Sequence, residues 1–297
     1  MVSRSLSKVI IAFAFIVTIV STLGLTIGKV EATAMQDRAT WLWDTTKIVE
    51  DESGVLLFLE SKGVNKVYLQ INTDIANDNY KSFIDKATAK GIKVYALDGA
   101  ASWVSEDGYK MQDQLFEWLN TYNESALITE QFSGVHLDVE PYLNSGWSSN
   151  QVNTIESYQA LLTKAKEGAN QLQIPLEVDM PFWFDEIAYS NQYGNGILAE
   201  WVIDQVDSVS IMAYRDAAKN IIKIVENEIE YAQKVNKSIV IGVETGASNE
   251  GKTITFYDNG EAYMNKQLAT VHRHYANKTS FNGFAIHHVD SWMNMRP

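Results

Sequence analysis

The feature that most constrains this 297-residue chain is a regular alternation of short β-rich runs and longer helical patterns from Ala39 onward. Each β-rich run begins with apolar, often β-branched residues and becomes polar or aromatic at its C-terminal end. Eight such runs follow one another: Thr40–Asp44, Lys66–Asn72, Lys93–Gly99, Gly134–Tyr142, Leu176–Phe184, Val209–Asp216, Ile239–Gly246 and Gly283–Trp292. Strands separated by helix-length segments are typical of parallel βαβ units.

Eight such units in about 260 residues match the size of a single (β/α)8, or TIM, barrel. We therefore expect residues 35–297 to form one α/β domain of this class. Only five residues follow Trp292, which leaves no room for a full eighth helix. A doubly wound open sheet is the alternative, but it would usually carry a Gly-rich phosphate loop after its first strand, and none follows Asp44.

Residues 1–34 are expected to lie outside this domain. Arg4 and Lys8 precede an apolar run, Val9–Gly28, and Ala32-Thr33-Ala34 offers a small-x-small cleavage site. This is the pattern of a secretory signal peptide, although the apolar run is long enough to make an uncleaved membrane anchor the alternative. In both cases we expect the domain outside the cell, either secreted or anchored by its N-terminal segment.

The composition excludes several kinds of chemistry. The chain has no cysteine, which rules out disulfides, thiol catalysis and thiolate metal ligands. Its 37 acidic and 24 basic residues give a net charge of −13, which repels nucleic acid phosphates and anionic lipids. Neither His272 with His274 nor His287 with His288 is spaced to bind a metal from one face of its element. We expect no metal, no cofactor, no nucleic acid partner and a monomeric protein.

Carboxylates and tryptophans gather at the C-terminal ends of the runs, where a (β/α)8 barrel carries its active site. Indole rings offer apolar faces that suit the apolar faces of pyranose rings, and carboxylates accept hydroxyl hydrogen bonds and supply acid–base groups. A polysaccharide or oligosaccharide is thus the expected partner. The candidate binding residues at or just beyond these ends are Trp43, Asp98, Trp103, Asp179, Trp183, Tyr214, Asp216, Glu244, His287 and Trp292.

The fourth run, FSGVHLDVEPY, carries the strongest local signal. Asp138 and Glu140 are two residues apart on a strand, so both point to one face, and His136 extends this polar row. Two carboxylates this close hinder each other's ionisation, which raises one pKa and suits that group to act as a general acid. A structural carboxylate pair held by backbone groups or an arginine is the alternative. His136 is expected to join the site by hydrogen bonding.

These residues resemble the fourth-strand signature of glycoside hydrolase family 18, the chitinases and their peptidoglycan-cleaving relatives. That signature runs Asp-Gly-x-Asp-x-Asp-x-Glu, with the Glu as the catalytic acid. Gly134, Asp138 and Glu140 match it, whereas Ser133 and His136 stand where the family has Asp.

Two further runs extend the resemblance. The sixth is similar to the family's Met-x-Tyr-Asp through Met212 and Tyr214, with Arg215 in the Asp position. The eighth is similar to the family's last strand, but His287 stands where the family has the tryptophan that underlies the sugar, and Trp292 lies too far along to replace it.

The resemblance implies a distant family member or a sister family with substrate-assisted, retaining hydrolysis. Glu140 would protonate the glycosidic oxygen while the substrate's own acetamido group attacks the anomeric carbon. Asp138 and Tyr214 would hold that acetamido group, and Met212 would line the binding site. The implied substrate contains N-acetylglucosamine, as chitin and peptidoglycan do.

Two other functions remain open on sequence. In a retaining glycosidase, Glu140 would be the acid/base and Glu244 the nucleophile, although such enzymes usually have Asn where this chain has Val139. In a non-catalytic carbohydrate-binding barrel, the departures at Ser133, His136 and His287 would reflect lost catalysis. The presence of Glu140 argues against this last function, because binding alone needs no acid.

Overall fold

Eight parallel strands close into a barrel in the part of the chain that the computed structural model describes, residues 35–297. The predicted signal peptide or anchor lies outside these residues. In chain order the strands are β1 (Asp37–Leu42), β2 (Lys66–Gln70), β3 (Lys93–Asp98), β4 (Gly134–Leu137), β5 (Leu176–Pro181), β6 (Ser208–Met212), β7 (Ser238–Glu244) and β8 (Phe281–His287). Each pairs with the next, and β8 closes the ring on β1 from Asp37 opposite Gly283 to Thr40 opposite Ile286. The expected (β/α)8 architecture is confirmed.

Helices connect successive strands. The main ones are α1 (Glu52–Ser61), α2 (Asn77–Ala89), α3 (Glu106–Ser125), α4 (Gln151–Leu172), α5 (Leu198–Gln205), α6 (Glu226–Val235) and α7 (Glu261–Tyr275). Shorter helices span Lys47–Glu50, Ser145–Ser149, Ala218–Ile224 and Val289–Met293. A hairpin of Ala188–Asn191 with Gly194–Ile197 lies between β5 and α5. The helix after β8 has only five residues, as predicted. Among residues 35–297, no helix combines the length and apolar character needed to cross a membrane.

Alternate residues of each strand serve two different layers. On β2, Val67 and Leu69 belong to the apolar layer between the barrel and its helices, whereas Tyr68 belongs to a separate cluster inside the barrel. This follows from the two-residue period of a strand. The inner cluster includes three aromatic rings: Tyr68 lies 5.2 Å from Trp41 and 6.2 Å from Tyr95, measured between ring centroids.

The barrel interior also contains paired charges. Lys66, which is 4% exposed, places its Nζ 2.5 Å from Asp37 Oδ2 and 2.7 Å from Glu177 Oε1. Burial raises the pKa of Glu177, but Lys66 and His136 outweigh it and lower that pKa to about 2. Glu177 is therefore an anion at neutral pH, and its desolvation is offset only while its cationic neighbours remain in place.

Replacing Lys66 is expected to lower the stability of the barrel. The substitution Lys66→Met leaves Asp37 and Glu177 without their shared cation, so we expect the free energy of unfolding to fall by about 3–5 kcal/mol in urea denaturation. The matched control is Lys164→Met, which removes an exposed pair with Asp113. Its expected cost is at most about 1 kcal/mol. Equal losses of unfolding free energy in the two variants would contradict the stabilising role assigned to the buried contacts of Lys66 with Asp37 and Glu177.

Candidate active site

The polar row on β4 rises through the barrel towards its mouth. β4 ends at Leu137, earlier than expected from sequence, and a 3-10 turn begins at Pro141. His136 is fully buried, whereas Asp138 and Glu140 are half-buried. Of the three polar residues, only the two carboxylates are open to a ligand.

Glu140 lines a cavity of about 350 Å³ at the mouth, and its Oε1 accepts a hydrogen bond from the Tyr142 hydroxyl. Burial raises the pKa of Glu140, the hydrogen bond from Tyr142 lowers it, and the charge of Asp179 raises it, with a net upward shift. A raised pKa keeps the carboxyl protonated over a wider pH range, as a general acid requires. Tyr142 was not among the residues predicted from sequence. Its position two residues after Glu140 was the available signal.

Asp138 lies against the end of β3. Gly99 is needed there because its φ is +148° and a Cβ would come within 2.3 Å of the Asp138 carbonyl oxygen. The Asp138 side-chain Oδ1 is buried and has no hydrogen-bond partner within residues 35–297. Burial raises the pKa of Asp138 well above its ordinary value, Asp179 and Glu140 raise it further, and His136 lowers it. Asp138 therefore favours its protonated form.

Tyr214 follows β6 and lines the same cavity as Glu140 and Met212. Its ring lies tilted against that of His287, with the centroids 5.9 Å apart. Burial raises the pKa of Tyr214 well above 10, and nearby carboxylates, Asp138 among them, add to the shift. The hydroxyl thus keeps its proton and can donate a hydrogen bond to a ligand.

A chain of hydrogen bonds joins Glu244, His287 and Trp43 across the mouth. Trp43 Nε1 donates to His287 Nε2 at 2.9 Å, and His287 Nδ1 lies 2.8 Å from Glu244 Oε2. An indole N–H can only donate, so Nε2 is the unprotonated nitrogen and Nδ1–H donates to the carboxylate. The chain fixes the His287 tautomer and the direction of the Trp43 ring. It brings together three predicted binding residues that stand at the ends of three different strands.

Half-buried aromatic rings form one wall of the Glu140 cavity. Trp183 lies edge-on to Tyr142 at 5.0 Å and to Trp147 at 6.0 Å between ring centroids. Trp147 in turn stacks on Phe184 at 5.8 Å. These contacts hold the Trp183 ring beside the acid, where an indole face suits the apolar face of a sugar.

A second cavity of about 500 Å³ lies on the β1–β3 side of the mouth. Trp43 and Asp98, both predicted binding residues, line it together with Gln70, Asn72 and Trp118. Asp98 accepts a hydrogen bond from Gln70 Nε2 at 3.1 Å, and burial raises its pKa. The amides and the carboxylate offer hydrogen bonds to hydroxyl groups, and the indoles offer apolar surface.

Five predicted binding residues are placed elsewhere. His136 and Asp179 lie inside the barrel, 0% and 4% exposed, so they act on other carboxylates and do not face a polymer. Trp103 and Trp292 are 3% and 1% exposed in the apolar layer around the barrel, where their large rings fill space between elements and present no open face. Asp216 is half-buried and lines neither cavity.

Comparisons with known proteins give matches among solved structures. No family model matches this sequence, and no curated protein matches it. The chain matches a chitinase from Chromobacterium violaceum with a TM-score of 0.53 and 14% identity, over 87% of this chain and 97% of that chain. A family 18 chitinase from Cycas revoluta in complex with (GlcNAc)3 matches with a TM-score of 0.52 and 12% identity, over 86% and 96% of the two chains.

A third match is the spore cortex-lytic enzyme SleL of Bacillus megaterium. Its TM-score is 0.53 and its identity 12%, over 87% of this chain and 73% of that chain. In fold, this chain is similar to the family 18 chitinases.

Proposed function

We propose that this protein is a glycoside hydrolase that cleaves a β-linked polysaccharide containing N-acetylglucosamine, such as chitin or peptidoglycan. The observation that carries the proposal is the position of Glu140, a carboxyl group with a raised pKa on the wall of an aromatic-lined cavity at the barrel mouth. The likeness in fold supports it, since the structures matched include chitinases, one of them with bound (GlcNAc)3, and a spore cortex-lytic enzyme.

In the proposed reaction, Glu140 gives its proton to the glycosidic oxygen while the bond from that oxygen to C1 breaks. The carbonyl oxygen of the substrate's 2-acetamido group attacks C1 and forms an oxazolinium ion, held by Asp138 and Tyr214. Water, deprotonated by the Glu140 carboxylate, then attacks C1 from the side that the leaving group vacated. The configuration at C1 is retained overall.

The geometry argues against Glu244 as a nucleophile. Its Oε2 contacts His287 Nδ1 at 2.8 Å, and its Oε1 accepts the backbone N–H of Gly246 at 2.5 Å. Glu244 does not line the cavity of Glu140, and each of its oxygens already contacts a donor within the protein. With both oxygens engaged, Glu244 is better suited to hold His287 and, through it, Trp43.

We further propose that the protein works outside the cell as a monomer. Export is supported by the basic, apolar and small-residue pattern of residues 1–34. A secreted or anchored hydrolase would meet a polymer too large to enter the cell. N-terminal sequencing of the exported protein would separate the two cases, because cleavage after Ala34 leaves Met35 as the first residue.

Glu140→Gln is the direct test of the acid. The amide keeps the shape and still accepts from Tyr142 but has no acidic proton, so we expect kcat/KM on N-acetylglucosamine oligomers or peptidoglycan to fall about 10²–10⁴-fold. Glu167→Gln is the control, since Glu167 is exposed on α4 and does not line the cavity. β-Glucans without acetamido groups should not be cleaved. Binding of oligomers without products by the unaltered protein would instead support a carbohydrate-binding barrel.

Two alanine variants separate the two hydrolytic mechanisms. With substrate assistance, Asp138→Ala removes the group that holds the acetamido and should abolish turnover, whereas Glu244→Ala should only weaken it. A double-displacement enzyme would show the reverse. Steady-state kinetics on one oligomer for both variants is the measurement, and unchanged turnover in both would refute both assignments.

Tyr142→Phe is expected to change the pH dependence of hydrolysis. The hydrogen bond from Tyr142 lowers the pKa of Glu140, so its loss raises that pKa further. Because the acid has to be protonated, the alkaline limb of the kcat/KM profile should move to higher pH. Tyr257→Phe, which alters an exposed tyrosine, serves as the control. A shift to lower pH would contradict the assignment of Glu140 as the acid.

A further inference from the structure

Arg215 follows β6 and lies in the wall of the cavity that also holds Glu140. Among residues 35–297, it is the one lysine or arginine that lines either cavity at the barrel mouth. The chain as a whole carries a net charge of −13, so a cation at this position runs against the general charge of the protein. The contacts of Arg215 show what this cation is free to bind.

Two contacts fix the position of the Arg215 guanidinium. Its Nη1 donates a hydrogen bond to the backbone carbonyl oxygen of Tyr214 at 2.6 Å, and its Cζ lies 4.9 Å from the centroid of the Phe182 ring. A guanidinium over an aromatic face is attracted by the negative face of the ring. Phe182 lines the same cavity, and Arg215 is half-buried there. The guanidinium is therefore held at the cavity wall before any ligand binds.

Most of the hydrogen-bond donors of Arg215 remain unused. A guanidinium has five N–H groups. Within residues 35–297, the bond to Tyr214 is the one that the Arg215 guanidinium makes to a protein acceptor. Glu140 and Glu250 line the same cavity, yet in this part of the chain neither lies within ion-pair distance of Arg215. The positive charge is thus left for a ligand to neutralise.

A carboxylate is the ligand group that matches this arrangement best. Its two oxygens accept two parallel N–H bonds from the planar guanidinium, which gives both charge neutralisation and a defined geometry. A sugar hydroxyl accepts one such bond and brings no charge. Arg215 therefore favours a ligand with a carboxylate over one that offers hydroxyl and acetamido groups alone.

We propose that Arg215 is a specificity-determining residue that binds a carboxylate carried by a sugar in the Glu140 cavity. This inference rests on the proposed function and narrows its substrate to N-acetylglucosamine glycans that also contain acidic sugars. Peptidoglycan has a carboxylate on every second sugar, in the lactyl group of N-acetylmuramic acid, whereas chitin has none. The Tyr214 hydroxyl would hold the acetamido group while the Tyr214 carbonyl holds Arg215, so two consecutive residues recognise the two groups.

Glu250 is the carboxylate of this cavity that opposes an anionic ligand. Its side chain is exposed, so water and salt screen its charge. Arg215 is half-buried and fixed by its two contacts, so its charge is screened less. The attraction of a carboxylate to Arg215 is therefore expected to outweigh its repulsion by Glu250.

The test measures binding by the full-length chain with Glu140→Gln, so that ligands are not consumed. Three tetrasaccharides are titrated calorimetrically: one of alternating N-acetylglucosamine and N-acetylmuramic acid, the same compound with its carboxylates amidated, and a chitin tetramer. We expect the carboxylate form to bind about 10-fold more tightly than the amidated form, because a hydrogen bond to a charged group is lost on amidation. Equal affinity for these two forms would overturn the proposal, and so would tighter binding of the amidated form.

Variants in the same background separate recognition from a structural role. Arg215→Gln should abolish the preference for the carboxylate form and change the affinity for the two neutral ligands little. Arg215→Lys should restore part of the preference, because it keeps the charge without the planar pair of donors. Arg273→Gln is the matched control, since Arg273 is exposed on α7 and does not line the cavity. An equal loss of affinity for all three ligands in Arg215→Gln would show a merely structural role and overturn the proposal.

Hydrolysis by the protein with Glu140 intact tests the proposed function separately. Products from the chitin tetramer, together with no preference for the carboxylate form in the titrations, would refute this inference and leave the hydrolysis standing. A carboxylate preference that Arg215→Gln abolishes, without products from any of the three ligands, would refute the hydrolysis. Arg215 would then remain a carboxylate-binding residue of a carbohydrate-binding barrel.

Discussion

The contact between Lys66 and Glu177 links strands that are not neighbours in the sheet. β2 and β5 lie across the barrel from each other, and the 2.7 Å pair joins them through its interior. His136 and Asp37 extend the same group of charges to β4 and β1. Charged groups removed from water are tolerated only when they are paired, so the strands have to close in the register that pairs them.

The same charges act on the candidate site. Burial and the nearby Asp179 charge raise the pKa of both Asp138 and Glu140, while the hydrogen bond from Tyr142 moderates the shift at Glu140. Two carboxyl groups with raised pKa values thus stand next to half-buried aromatic rings. On the other side of the mouth, His287 is used as a link between a carboxylate and an indole. His287 therefore positions its neighbours, whereas Glu140 is proposed to act as an acid.

Much of the fold followed from pattern alone, because each barrel strand is buried on both faces and so appears as a compact apolar run between longer amphipathic segments. Glu140, Met212 and Tyr214, which stand at the polar ends of three of these runs, line one cavity. Burial was harder to predict. Trp103 and Trp292 stand after strands as Trp43 does, but their rings turn into the apolar layer, since indole surface gains as much from a protein interior as from a sugar.

Sequence by itself determined the number and order of the strands, the short last helix and the pair of carboxylates at the end of β4, because these depend on local spacing along the chain. Only the tertiary structure decided which groups surround those carboxylates. Glu177 and Lys66 are separated by 111 residues, and Trp43 and His287 by 244, yet each pair is in direct contact. Closure of the barrel brings such residues together, and the proton on a buried carboxyl depends on those neighbours and on the exclusion of water, neither of which is encoded in spacing.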